Sequence, residues 1–130
     1  MSQAIDDFQK TVDSMLIQHQ SILDILSKGQ EASARVNRAV VKSVTSCGCI
    51  TVDAQKTTIP EDATLADLKY IYTSHLKGNL CPSCREVLEA ELGKQFFYIA
   101  ALANTLDFSI NEILGNEKAR LETLTVYNLR

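Results

Sequence analysis

The sequence predicts an all-α protein, a bundle of about four or five helices with one short nonhelical excursion. Two observations favour this fold. Apolar residues recur at three- and four-residue spacing in several long segments, and helix-capping patterns begin others. The chain has 130 residues, of which 45% are hydrophobic and 22% charged, with 5 Gly and 2 Pro. This composition is typical of a globular protein, and we expect residues 1–130 to form a single domain.

Charge and hydropathy exclude several classes of function. The net charge is −3 and the sequence has no long basic block, which argues against nonspecific nucleic-acid binding. The apolar run Phe96–Ala103 is far shorter than the roughly 18 to 20 residues that cross a membrane. Residues Met1–Lys10 lack the basic start and apolar segment of a secretory signal. We therefore expect no membrane association and a cytoplasmic protein, in which cysteines are reduced or metal-bound.

The first two helices are predicted from apolar periodicity. The spacing over Ile5–Leu26 predicts one long amphipathic helix, with His19 as a partly buried histidine in its apolar seam. Gly29 interrupts this pattern. Small and β-branched residues in Glu31–Val44 then predict a second, closely packed helix.

The middle of the chain changes character. Over residues 47–60, β-branched residues favour extended structure while Gly48 and polar residues favour turns, so either a small hairpin or an ordered loop is expected. Thr64 and Asp67 then form a capping pattern for a short helix with an apolar stripe. We expect that helix to close at Gly78.

The last two helices have clear starts. Pro82 suits the first turn of a core helix that runs to about Leu106. Ser109 and Glu112 make a second capping-box pattern that leads into the final helix.

Four cysteines form two close pairs on either side of the middle segment. Zn²⁺ prefers four deprotonated sulfurs at tetrahedral corners, and a pair separated by one or two residues places two sulfurs on one ion. A closed site of this kind leaves no position for substrate, so the zinc would be structural and would clip the excursion to the bundle. The predicted zinc ligands are Cys47, Cys49, Cys81 and Cys84.

Two other interpretations of the cysteines stay open. Cys81-Pro82-Ser83-Cys84 at a helix start superficially resembles a dithiol redox motif, although it does not follow the buried strand such motifs need. Four reduced cysteines acting as small apolar residues are the other possibility.

The second half of the chain resembles a known family. The stretch Glu91–Asn104 (ELGKQFFYIAALAN), followed by Leu106, Ile110 and Glu112–Leu114, resembles the second motif helix and following turn of MazG-like nucleotide pyrophosphohydrolases. Residues Glu31–Val40 are similar to that family's first metal-binding helix. The resemblance implies an all-α fold, dimers or tetramers, and Mg²⁺ held by Glu-Glu-x-x-Glu and Glu-x-x-Asp patterns that cleaves nucleoside triphosphates between the α and β phosphates.

The acidic motifs of that family are degraded in this chain. The resemblance puts Glu91 at the second motif's Glu and Lys94 at its Asp, and aligns Gln30, Glu31 and Ala34 with the three glutamates of the first. Two carboxylates remain, and a lysine ammonium beside them would repel Mg²⁺.

Two residues of the final helix also match the family. Asn116 and Lys118 correspond to an Asn and a Lys that the family uses around its substrate, although both types are common on solvated helix ends. The resemblance therefore implies a vestigial metal and nucleotide site formed by Glu31, Glu91, Lys94, Asn116 and Lys118.

These observations lead to one leading hypothesis for function. We expect a non-catalytic MazG-like protein with a structural four-cysteine zinc site, acting by nucleotide or protein binding. We also expect a homo-oligomer, most simply a dimer, because long amphipathic helices and the aromatic face near Phe97 need cover. If the two motif helices lie side by side, the Lys94 ammonium should fall near Glu31, Glu91 or both.

Two alternatives belong to other classes. The first is a Mg²⁺-dependent nucleoside triphosphate pyrophosphohydrolase that recruits further acids such as Glu86, Glu89 or Asp107. The second is a zinc or thiol redox sensor, with the helical bundle as its scaffold.

Overall fold

The computed structural model describes residues 2–16 and 21–124 and confirms the all-α fold with a tiny two-stranded sheet. A five-residue π-helical turn, Ser43–Cys47, extends the second helix. Within the described residues, no helix is both long and apolar enough to cross a membrane. The elements are α1 (Gln3–Met15), α2 (Ile22–Lys42), β1 (Ile50–Val52), α3 (Leu65–Ile71), β2 (Leu76–Gly78), α4 (Pro82–Thr105) and α5 (Ile110–Thr123).

The single helix predicted over Ile5–Leu26 is wrong, because two helices occupy this stretch. The first ends at Met15, and Ser21 has the extended backbone of an N-cap before the second begins. The apolar spacing continues across the break, so periodicity alone joined the two segments. His19, for which a partly buried seam position was predicted, lies outside the described residues.

Helices α2 and α4 form the centre of the bundle and run antiparallel. Gly29 lies opposite Tyr98, while Cys47, just after α2, lies opposite Cys81 at the start of α4. Gly29 does not interrupt the helix as predicted but lies inside α2. A Cβ atom there would lie 3.6 Å from the Tyr98 Cβ, so the missing side chain accompanies a close approach of the two helices.

The main core is small and lies at the end of α4 far from the cysteines. Val12, Ile25, Ala100 and Ala101 are buried together there, and Phe97 packs against them. The three alanines of α4 that are buried allow the neighbouring helices to approach closely.

Side-chain hydrogen bonds fix α1 to the α4–α5 junction beside this core. The Gln9 side-chain amide donates to Asn104 Oδ1 over 2.9 Å and to the Phe108 carbonyl over 2.7 Å. The Ile110 backbone N–H donates to Gln9 Oε1 over 2.9 Å. Ser109 caps α5 as predicted, because its hydroxyl accepts from the Glu112 N–H.

Residues 50–78 form an arm that leaves the bundle and returns to it. β1 pairs antiparallel with β2, so Ile50 lies opposite Gly78 and Val52 opposite Leu76. Because β1 pairs with β2, residues 47–60 do not form a local hairpin, which was one of the two expectations. Between the strands, α3 has no buried residue.

The helix predicted to close at Gly78 ends earlier. The capping box at its start is present, with Thr64 and Asp67 each accepting a backbone N–H of the other. Tyr72 has extended backbone, which ends the helix at Ile71, and His75 has a positive φ just before β2. The residues around Leu76 pair with β1 and form a strand instead.

Candidate metal centre

The four cysteines come from three elements that meet where the arm joins the bundle. Cys47 ends the π-helical turn, and Gly48 follows with φ of +78°, a left-handed conformation that turns the chain so that Cys49 points back. Cys81 is the N-cap of α4, and Cys84 lies in its first turn. The two sequence pairs therefore arrive from opposite ends of the arm.

Their geometry suits a tetrahedral metal ion. All four Sγ atoms lie within 4.8 Å of one another, and the Cys47 and Cys81 sulfurs are 3.8 Å apart. Sulfurs at about 2.3 Å from one zinc ion at tetrahedral corners would be separated by roughly 3.8 Å. The cysteines are free thiols, not disulfides. The cluster could hold a metal ion, and its spacing fits Zn²⁺.

The cluster also favours thiolate formation at one sulfur. The Cys84 backbone N–H, at the start of α4, donates to the Cys81 Sγ over 3.4 Å. This hydrogen bond and that of the Cys84 thiol lower the pKa of Cys81 to about 7. Hydrogen bonds with the Cys84 and Cys81 thiols raise the pKa of Cys47 to about 12. A metal cation would therefore have to displace protons from the neighbouring sulfurs when it binds.

Ser43, at the start of the π-helical turn, contacts the cysteine cluster and was not predicted. It is buried, and its hydroxyl donates to the Ala39 carbonyl over 2.9 Å. Its own carbonyl accepts from the Gly48 N–H over 2.9 Å and from the Cys49 thiol over 3.9 Å. Ser43 thus contacts the cluster through its backbone carbonyl, an interaction that the residue type does not signal in the sequence.

Two of the residues expected to form a vestigial nucleotide site, Glu31 and Lys94, lie elsewhere, in the groove between α2 and α4. An open cavity of about 250 Å³ there is lined by Lys28, Glu31, Ala32, Arg35, Lys94 and Tyr98. Glu31 pairs with Lys28 at 3.4 Å and with Arg35 at 3.3 Å. The hydrogen bond from Arg35 and the charge of Lys28 lower the pKa of Glu31. Lys28 and Arg35 were missed, although their spacing of three and four residues from Glu31 on a helix indicates them.

The other motif carboxylate, Glu91, lies on α4. Glu91 Oε1 is 3.6 Å from Lys94 Nζ, and only 16% of the Glu91 side chain is exposed. Its second oxygen, Oε2, is buried and has no hydrogen-bond partner among the described residues. Lys94 therefore contacts one of the two predicted carboxylates and shares a cavity with the other, Glu31.

The remaining candidates do not join this cavity. Asn116 and Lys118 are exposed on α5, which packs mainly on α1. Glu86 and Glu89 are exposed on α4, and Asp107 follows that helix with φ of +62°. The structure thus brings Glu31 and Lys94 to one cavity, whereas Glu91 pairs with Lys94 but lies outside the cavity lining, as do Asn116 and Lys118.

Comparison with known proteins adds no relative. No family model matches the chain, and neither the curated proteins nor the solved structures give a significant match. The class defined by the fold and the site is therefore an all-α protein with a four-cysteine cluster that could hold a metal ion.

Proposed function

We propose that this chain is a non-catalytic, MazG-like helical protein whose four cysteines hold a structural Zn²⁺ and which acts by binding a nucleotide or a protein. The observation that carries the metal assignment is the convergence of four sulfurs within 4.8 Å from both ends of the arm. Four sulfur donors fill the tetrahedral positions of zinc, so no position is left for a substrate or a reactive water.

The position of the cluster explains what the ion would do. Cys47 and Cys49 lie before β1, and Cys81 and Cys84 begin α4. Zinc would therefore hold the two ends of the arm together and against both central helices. The free energy of such binding offsets the entropy lost when a polar segment becomes ordered.

Metal analysis of the purified full chain tests this assignment. We expect one zinc per chain by elemental analysis, and a Co²⁺-substituted protein with the absorption of tetrahedral thiolate coordination. Cys81→Ser should lower zinc affinity, while Ser83→Ala, between the two ligands of the same motif, should keep it. A full chain that folds without zinc and binds none at micromolar concentration would contradict the proposal.

The absence of catalysis is supported by the charges around the motif carboxylates. Glu31 is paired with two cations and Glu91 with Lys94, so Mg²⁺ would have to displace protein cations to reach either acid. We expect no Mg²⁺-dependent release of pyrophosphate from common or modified nucleoside triphosphates. Robust turnover by the pure protein would contradict this part of the proposal.

One observation favours the pyrophosphohydrolase alternative. The buried, unpartnered Oε2 of Glu91 is the kind of atom that a cation would satisfy. If pyrophosphate release is detected, Glu91→Gln should abolish it while the exposed Glu89→Gln should not. Equal rates in the two variants would remove Glu91 from any active site.

The sensor alternative draws on a second observation at the cysteines. Cys47 is exposed, and its sulfur is 3.8 Å from that of Cys81. Hydrogen peroxide would oxidise the two thiols to a disulfide, be reduced to water and release the metal. Zinc release at low peroxide, reversed by a thiol reductant, would favour sensing. An inert zinc would leave the structural role.

We propose a homodimer because apolar residues of α4 are exposed. This helix packs most extensively on α1 and α2 and still leaves large apolar side chains exposed. Val87, Phe96 and Ile99 are more than half exposed, with Phe96 at 59%. Exposed apolar residues that cluster on one element are typical of a protein interface. Light scattering should give the dimer mass at micromolar concentration, and a monomer mass across a wide range would contradict it.

A further inference from the structure

The tip of the arm carries an open groove that the bundle does not cover. The groove has a volume of about 300 Å³ and is lined by Pro60, Asp62, Ala63, Asp67, Tyr70 and Ile71. Tyr70 is 82% exposed. Two carboxylates and no cation line the groove, and Glu61 adds a third acid beside it. The surface is therefore both apolar and acidic.

Local contacts stabilise this groove although α3 lies outside the core. The capping box of Thr64 and Asp67 fixes the start of α3. The pairing of β1 with β2 and an ion pair of 3.0 Å between Lys77 and Asp53 close the base of the arm. Among the described elements, α3 packs extensively on none. An exposed aromatic surface of this kind is typical of a binding site.

The chain itself carries a surface of the opposite charge. Arg38, Val41 and Lys42 are exposed and share one face of α2, since residues three and four apart are neighbours on a helix. Within the described part of the chain, neither Arg38 nor Lys42 makes an ion pair or a side-chain hydrogen bond. We call this surface the basic face of α2.

Both surfaces are joined to the cysteine cluster by short stretches of chain. Arg38 precedes Cys47 by nine residues, which is about 14 Å along a helix. The arm begins at Ile50, three residues after Cys47. A twofold dimer in which each arm reaches the other copy's basic face would bring these oppositely charged surfaces together twice.

We propose that the arm's groove docks on the basic face of α2 of a second copy of this chain. Tyr70 and Ile71 would cover Val41, and the acids Glu61 and Asp62 would face Arg38 and Lys42. The arrangement is reciprocal, as a twofold dimer requires. It has the apolar centre and charged rim of protein interfaces. This inference rests on the proposed homodimer and assigns the contact that specifies it.

Charge reversal tests this contact. One variant reverses the arm (Glu61→Lys with Asp62→Lys), and another reverses the helix (Arg38→Glu with Lys42→Glu). Each alone places like charges at both contacts of its own dimer, and we expect its dimer dissociation constant to rise at least tenfold. An equimolar mixture of the two restores opposite charges at both contacts, so heterodimers should form with near wild-type affinity. Sedimentation velocity with one fluorescently labelled variant measures both quantities.

The control and the outcomes separate this inference from the dimer itself. Asp13→Lys with Glu122→Lys makes the same change of charge on α1 and α5, and it should leave the dimer intact. A wild-type monomer would overturn both the dimer and the docking. A wild-type dimer whose affinity neither reversal changes, or a mixture without rescue, would overturn the docking alone. Binding of the arm to an unrelated basic protein, with a dimer affinity that neither charge reversal changes, would also overturn the docking.

Discussion

The bundle and the arm of this protein are stabilised by different physical means. Among the described hydrophobic residues that are buried, Ile50 at the base is the single one in the arm, and the others belong to α1, α2 and α4. The arm has local hydrogen bonds, one short strand pair and the four-cysteine cluster at its base. Apolar burial therefore accounts for the bundle, whereas the arm depends on turns, caps and the proposed metal.

This difference means that a change in one region should leave the other largely intact. Local unfolding follows the distribution of buried contacts, so the arm should open at lower free energy than the central helices.

The largest effect should follow removal of the metal. Free energies of structural zinc sites are on the order of 10 kcal/mol, more than an arm with one buried apolar side chain can replace. A strong chelator, or Cys84→Ser, should therefore abolish protection of the β1 and β2 amides in hydrogen exchange. The α4 amides near Ala100 should stay protected. Simultaneous loss of protection in both regions would show that arm and bundle are one cooperative unit.

A core truncation should have the opposite pattern. The Ile25 side chain is 1% exposed within the core, so Ile25→Ala should lower the free energy of unfolding by about 2–5 kcal/mol and Ile25→Val by about 0.5–1.5 kcal/mol. Urea unfolding measures both. The zinc affinity of the folded protein, from chelator competition, should be unchanged in the two variants. A change in zinc affinity that follows the loss of stability would contradict the separation.

Two glycines distinguish the regions more sharply. Gly78 has φ of +88°, and a Cβ atom there would lie 2.6 Å from the Cys49 carbonyl oxygen. Gly78→Ala should therefore lower the free energy of unfolding by more than about 1 kcal/mol and weaken zinc binding. Gly93, inside α4, has no heavy atom within 4 Å of its Cβ position. Gly93→Ala should therefore stabilise the bundle by about 0.5–1 kcal/mol. Thermal unfolding and chelator competition check both, and an unperturbed zinc site in Gly78→Ala would count against the arm geometry.

The smallest effect should be at Glu31 in the bundle groove. Arg35 and Lys28 lower the pKa of Glu31, so its ionised carboxylate stabilises the fold at pH values above the pKa in the unfolded chain, about 4.5. This contribution is lost as the pH falls through the pKa of the folded protein. Its side chain is 49% exposed, so Glu31→Gln should shift the urea midpoint at pH 7 only slightly. The shift should vanish once the pH is low enough to protonate the carboxylate in the folded protein. Glu89→Gln, at an exposed position without an ion pair among the described residues, is the control and should leave the urea midpoint at pH 7 unchanged.

The fold was largely predictable where the pattern was local. Capping residues placed the starts of α3, α4 and α5 correctly, because a cap acts within one helical turn. The break between α1 and α2 was missed because apolar spacing continues through it. The partner of β1 was missed for a different reason, since strand pairing across 24 residues depends on where the rest of the chain goes.

The candidate site divides in the same way. The close spacing of the cysteines predicted a cluster, and the four sulfurs do converge. The cations beside Glu31 were overlooked although they lie three and four residues away on the same helix. Ser43 was not considered, because its contact with the Cys49 thiol requires the turn at Gly48.

By itself the sequence determined the helical class, the starts of α3, α4 and α5 and the set of residues able to bind a metal, because periodicity, capping and donor chemistry act over a few residues. Tertiary structure decided which ends meet: the antiparallel contact of α2 with α4 brings Cys47 to Cys81 and Glu31 to the cavity of Lys94. It also left α3 outside the core with its acidic groove exposed. The physical reason is that long-range contacts arise from the packing of whole elements, which no local pattern specifies.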